Sequence, residues 1–131
     1  MANFTPSPQA PEREHSLPST FIDKREEFYA NKSTITKARI LRDGRMLKEA
    51  VIEYMSILDY ICNRIKPKLR GKYRQEIIQI QAYIPTALNS IRASDGIPDE
   101  VLEQIDYCHD ITTEAMVSYG FDQITPTVLN I

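Results

Sequence analysis

The densest run of a single chemistry in the chain is Arg64-Ile65-Lys66-Pro67-Lys68-Leu69-Arg70-Gly71-Lys72-Tyr73-Arg74, with six positive charges in 11 residues and no acid among them. Lysine and arginine at this density neutralise phosphates and release the counterions condensed on a polyanion. Gly71 lets a backbone approach closely, and Tyr73 can lie along a sugar or base where it is not core. No base-reading group accompanies Arg64, Lys66, Lys68, Arg70, Lys72 and Arg74. They are therefore expected to hold the backbone of double-stranded DNA without sequence preference. The competing reading is a solvated turn whose charges suit the end of a preceding helix.

Other chemistry is sparse. His15 and His109 are the only histidines. Asp106 and His109 have the i, i+3 spacing of the ligand pairs in di-iron helical bundles, but a second such pair and two inward carboxylates are missing. His109 is therefore expected at the surface or capping a helix, and no metal or cofactor is assigned. No Ser-His-Asp or Cys-His arrangement has a supporting motif, and neither G-x-x-x-x-G-K-[S/T] nor G-x-G-x-x-G occurs. The expectation is a protein that is not an enzyme, with no catalytic residues and no small-molecule substrate. Cys62 and Cys108 fall at apolar helical positions and read as small buried hydrophobes. A disulfide between them requires the second and fourth helices to be neighbours, with Cα atoms within about 7 Å.

The net charge of −2 conceals an uneven distribution. Residues 1–92 hold all 16 Lys and Arg and 10 of the 18 acids, a net +6, whereas residues 93–131 hold 8 acids and no Lys or Arg, a net −8. Such a chain can turn one side to a polyanion and the other to solvent or to another copy of itself. No run of 18 apolar residues is present, so no transmembrane segment is expected. The start, Met1-Ala2-Asn3-Phe4-Thr5-Pro6, lacks the basic and apolar stretches of a signal peptide, and synthesis in a cytoplasm is expected.

The elements that position these residues are helical. Only 4 of 131 residues are Gly, and the closely spaced turn signals of an all-β chain are absent. The expected fold is all-α, a four-helix bundle over residues 19–120. An extended Pro-rich arm over 1–18 precedes it and an apolar tail over 121–131 follows. Pro6, Pro8, Pro11 and Pro18 mark the arm. Helix one is expected to start after Ser19 or Thr20 and to end near Asn31. Ser33 or Thr34 then caps a second helix, in which Ile40, Gly44, Leu47, Val51, Tyr54, Leu58, Ile61 and Ile65 alternate in steps of 4 and 3. That seam predicts one long helix to Ile65 with Gly44 admitting a close partner; the alternative is a break at Asp43-Gly44. Pro67 ends it. Leu69, Tyr73, Ile77, Ile80, Ile84, Leu88 and Ile91 predict a third helix, kinked at Pro85. Pro98, Asp99 and Glu100 open a fourth, which Gly120 closes. Its inner stripe is Val101, Leu102, Ile105, Cys108, Thr112, Ala115, Met116 and Tyr119. The tail holds Phe121, Ile124, Val128, Leu129 and Ile131 and is too apolar to be free.

Chain size, the arm ending near Pro18, the four helices, the basic 64–74 turn and the closing Thr125-Pro126-Thr127-Val128-Leu129-Asn130-Ile131 together resemble the major coat proteins of spindle-shaped, tailed viruses of thermoacidophilic archaea, the two-tailed virus group. The likeness runs over the full length. It implies a viral structural protein located in the virion, made in the host cytoplasm and self-assembling through arm and tail into a shell around double-stranded DNA. The slightly negative overall charge departs from a surface that is basic throughout and leaves DNA contact to one patch. A small intracellular helical nucleic-acid-binding or adaptor protein would use the same patch without a lattice.

Overall fold

A computed structural model describes residues 12–122, with side chains from Thr20 onward. Four helices follow one another: α1 (Glu12–Leu41), α2 (Gly44–Ile65), α3 (Gly71–Arg92) and α4 (Asp99–Ser118), with a short 3-10 turn, Lys66–Lys68, between α2 and α3. The all-α four-helix architecture is as expected, but the chain divides between α1 and α2 at a different place. Residues 1–11 of the expected arm and 123–131 of the expected tail lie outside the described residues.

The arm is helical from Glu12 rather than extended to Pro18. Glu12, Arg13 and Glu14 are good helix formers, and Pro18 removes one N–H without ending the helix. No break occurs near Asn31 either. The residues read there as an end and a new cap turn their polar groups back onto helices. Thr34 Oγ1 donates to the Ala30 carbonyl (3.1 Å), Thr36 Oγ1 to the Lys32 carbonyl (3.3 Å), and Asn31 Nδ2 reaches the Ala50 carbonyl on α2 (3.3 Å). The seam of α1 is Phe21, Arg25, Phe28, Lys32, Ile35 and Ala38. Its apolar members and Arg25 are buried. Two cations in that stripe hide its helical period.

The break falls at Arg42-Asp43, one residue before the Asp43-Gly44 of the alternative reading. Asp43 N–H bonds the Ala38 carbonyl (3.0 Å) and Arg42 N–H the Arg39 carbonyl (3.2 Å), while Arg42 takes φ 56°. This is the Schellman closure, with arginine at the left-handed position that glycine usually fills. Asp43 then caps α2, its Oδ1 accepting the Met46 N–H (3.0 Å). The seam expected on α2 is core only from Leu47 on. Val51, Tyr54, Leu58, Ile61 and Ile65 are fully buried, but Ile40 is 75% exposed. A Cβ on Gly44 would meet nothing within 4 Å, so Gly44 admits no close partner.

Helices α3 and α4 lie where the sequence places them, except that Leu69, expected on the third helix, precedes α3 and closes the 3-10 turn. α3 continues through Pro85, burying Ile77, Ile80, Ile84, Ala87 and Ile91. Pro98 is the N-cap of α4. At its other end Phe121 N–H bonds the Met116 carbonyl (2.8 Å), with Gly120 at φ 79°. Tyr119, expected on the inner stripe, is 38% exposed.

Side-chain pairs show four antiparallel neighbours around one core. Phe28 stacks on Tyr54 (α1–α2), Asn63 meets Gln81 (α2–α3), Tyr73 meets Glu114 (α3–α4) and Lys32 pairs with Asp106 (α4–α1). One end of the bundle, called lower here, therefore gathers the α2–α3 turn, the end of α4 and the start of the packed part of α1. The upper end gathers the α1–α2 joint and the α3–α4 connection. Phe121 packs on Phe21 (5.7 Å between ring centroids), and its carbonyl accepts from the buried Arg25 guanidinium (2.6 Å). The first residue of the expected tail thus docks on its own bundle.

Candidate nucleic-acid interface

The basic run lies at the lower end. Helix α2 stops because Pro67 has no N–H to donate, and Lys66–Lys68 tightens into a 3-10 turn. Leu69 is fully buried and pegs the turn to the core. Arg70 is extended, and Gly71 enters α3 at φ 57°. A Cβ on Gly71 would meet no atom within 4 Å, so glycine serves this backbone conformation rather than a close approach.

With Leu69 inward, the charged neighbours face out. Arg64, Lys68, Arg70, Lys72 and Arg74 are exposed and Lys66 is half-buried. Among the described residues none of the six forms an ion pair with a carboxylate. Several are braced by neutral groups. The Arg64 guanidinium lies over the Tyr60 ring (4.8 Å), and Arg74 Nη1 donates to the Lys66 carbonyl across the turn (3.2 Å). The Tyr119 hydroxyl accepts the Arg70 N–H (3.2 Å), tying the turn to the end of α4. All six predicted residues thus lie on the turn between α2 and α3 and on the helix ends beside it. Tyr73 is not free for a base: it packs on the core edge-on to Tyr119 and donates to Glu114 (3.3 Å). Sequence reasoning missed Tyr60 and Tyr119 as supports, since nothing local links them to residues 64 and 70.

Electrostatics at this end favour an anion. The first turn of α3 carries no acidic residue and its N-cap offers no side-chain acceptor, so the positive end of a 22-residue helix adds to the six charges. Helix α4 has the opposite balance, with six acids and no Lys or Arg. Asp99, Glu103, Asp106, Asp110 and Glu114 recur at spacings of 4, 3, 4 and 4 and are all exposed, forming a stripe along that helix.

The remaining reactive side chains are core. His109 is half-buried rather than at the surface, and it caps no helix. Its ring stacks on Phe28 (4.5 Å) and its Nδ1 lies 2.8 Å from the Tyr54 hydroxyl. Burial, helped by the Lys32 ammonium, lowers its pKa to about 4. The ring is therefore neutral at pH 7, and Nδ1 shares a hydrogen bond with the Tyr54 hydroxyl whose direction follows the tautomer. Asp106 faces Lys32 (3.0 Å), and among the described residues no group of His, Cys, Asp and Glu could hold a metal ion. Cys62 and Cys108 are free thiols, both buried, and burial pushes each up to about 12. They behave as hydrophobes rather than nucleophiles. No helix among the described residues is long and apolar enough to cross a membrane. Comparison with known proteins finds no matching family model, no matching curated protein and no matching solved structure.

Proposed function

We propose that this chain is a virion structural protein, a coat subunit that assembles with copies of itself into a shell around double-stranded DNA, its 64–74 turn meeting phosphates. The observation that carries this reading is a braced basic turn with no acid in its own sequence: six cations, none in an ion pair among the described residues, on a turn pegged by Leu69 and tied to α4 by Tyr119. Cations already matched by protein carboxylates would release no counterions on meeting DNA; these remain to be matched. The resemblance to archaeal viral coat proteins supplies the shell. Location in the virion, after synthesis in the host cytoplasm, belongs to the same proposal.

The test is a fluorescence-anisotropy titration on duplex DNA at several salt concentrations. Lys68, Arg70 and Lys72 are replaced together by Gln, leaving Arg64 and Arg74 to brace the turn. About three phosphate contacts are lost, so the slope of log affinity on log salt becomes shallower by roughly 2–3, alike on unrelated sequences. An unchanged slope overturns the assignment of this turn to DNA. DNA binding by a chain that stays monomeric under all conditions favours the intracellular nucleic-acid-binding reading over the coat.

A further inference from the structure

The upper end of the bundle is split by charge. From the Lys32–Asp106 pair, α1 rises to Leu41 and α4 rises antiparallel to it, back to Asp99. At 1.5 Å per residue these ends lie about 13 Å and about 10 Å further on. On the α1–α2 side, residues 36–48 hold five Lys and Arg and one Asp, a net +4. That one carboxylate is engaged in capping α2. On the α3–α4 side, residues 93–103 hold four acids and no Lys or Arg, a net −4. Among the described residues no ion pair joins the two halves; Arg45 pairs with Glu49 on its own helix (3.4 Å). In the basic half, Ile40 is 75% and Leu41 57% exposed, the two most exposed large hydrophobic side chains among the described residues.

We propose that this end binds the same end of a second copy about a two-fold axis, the basic half of each chain lying on the acidic half of the other, with Ile40 and Leu41 buried between them. The proposal rests on the self-assembling reading above and adds the surface. A two-fold axis across the bundle end, running between the halves, brings each patch onto its complement, and every contact is made twice. An anionic surface, whether lipid or nucleic acid, would satisfy only the basic half and would press the acidic half against like charge. A second copy satisfies both. The pair would be two bundles long, with a 64–74 turn free at each pole.

Charge exchange tests this by sedimentation velocity across a concentration series. In one variant Arg39 and Arg42 become Glu; in the other Asp95 and Glu100 become Lys, leaving Asp99 in the first turn of α4. In each variant the substituted half goes from a net charge of four to zero, so the attraction is lost at both contacts and like charges meet at the substituted positions; its dimer dissociation constant rises at least about tenfold. Mixed one to one, the two variants are complementary at both contacts and the dimer returns, which a merely misfolded variant could not produce. Far-UV circular dichroism confirms that each alone is helical. If the wild type associates and both variants associate as it does, this surface is wrong while self-assembly stands. A wild type that is monomeric at high concentration across pH and salt overturns both.

Discussion

The first three helices are joined by two connections that each hold one residue at positive φ and are held by opposite means. Arg42 sits at φ 56° in the α1–α2 joint and Gly71 at φ 57° in the α2–α3 turn. The turn is announced by Pro67 and Gly71 and pegged by the buried Leu69. The joint has no proline, places a non-glycine residue in the left-handed region, and leaves Ile40 and Leu41 in solvent. The turn is a fixed feature of the folded chain, held from within. The joint is closed only by backbone hydrogen bonds and the Asp43 cap, and its apolar groups face outward. A connection that exposes its hydrophobic side chains while another buries its own has a different task, and the two connections differ in charge setting as well: the 64–74 turn holds six cations and no acid, whereas the joint shares its end of the bundle with the acids of residues 93–103.

The sharpest way to break that contrast is to remove the apolar side chains. Leu69→Ala empties a fully buried site and is expected to cost about 2–5 kcal/mol of stability, measured by urea denaturation at a concentration where the chain is monomeric. Leu41→Ala, at 57% exposure, is expected to change it by less than about 0.5 kcal/mol under the same conditions. Equal losses in the two variants would mean that the joint is anchored as firmly as the turn.

The same contrast explains what was legible in the sequence. Helices α3 and α4 and their limits could be read because Pro67, Gly71, Pro98 and Gly120 punctuate them, and because their buried residues recur at helical spacing. The six cations of the turn were visible for the same reason, lying between a proline-stopped helix and a glycine-started one. Helix α1 was not legible. Arg25 and Lys32 occupy inward positions, one answered by the Phe121 carbonyl and the other by Asp106, and both partners are more than 70 residues away. Asn31, Ser33 and Thr34 look like a helix end because their preference for caps is local, yet here Thr34 bonds the Ala30 carbonyl of the continuing helix and Asn31 the Ala50 carbonyl of α2. His109 was misplaced because only the fold surrounds it with Phe28, Tyr29 and Tyr54.

A difference between core and connections is also expected in the response to acid. The pKa of His109 falls to about 4 in the folded chain, below its ordinary value of 6.5. The unfolded chain therefore takes up the proton first. The stability that neutral His109 contributes is complete above about pH 6.5 and is lost as pH falls toward 4. For a partly exposed ring the loss is about 1–2 kcal/mol after screening. His109→Gln keeps a hydrogen-bond partner for the Tyr54 hydroxyl and removes the proton site. Denaturation of both proteins at pH 7 and pH 4.5 is expected to show a shallower decline in the variant. Parallel declines would mean that His109 is solvated like a surface residue and that the core contributes nothing particular to the acid response.

The smallest effects compare the two left-handed residues themselves. Gly71→Ala forces a Cβ into that conformation and is expected to cost about 1–2 kcal/mol, although no atom stands in the way of the new methyl group. Arg42→Gly does the reverse. It relieves a similar strain but adds freedom to the unfolded chain, so the net gain in monomer stability is about 0.5–1 kcal/mol. The two substitutions therefore move thermal midpoints in opposite directions at the same backbone angle, and a loss in both would show that the Arg42 side chain is anchored in its own chain. Arginine where glycine is the more stable choice has a use if its charge meets something outside the monomer. If that use is the split upper end, Arg42→Gly folds better and associates worse. Sedimentation beside thermal melts then separates the two consequences: higher melting with unchanged association would leave the strain at Arg42 without a role at that surface.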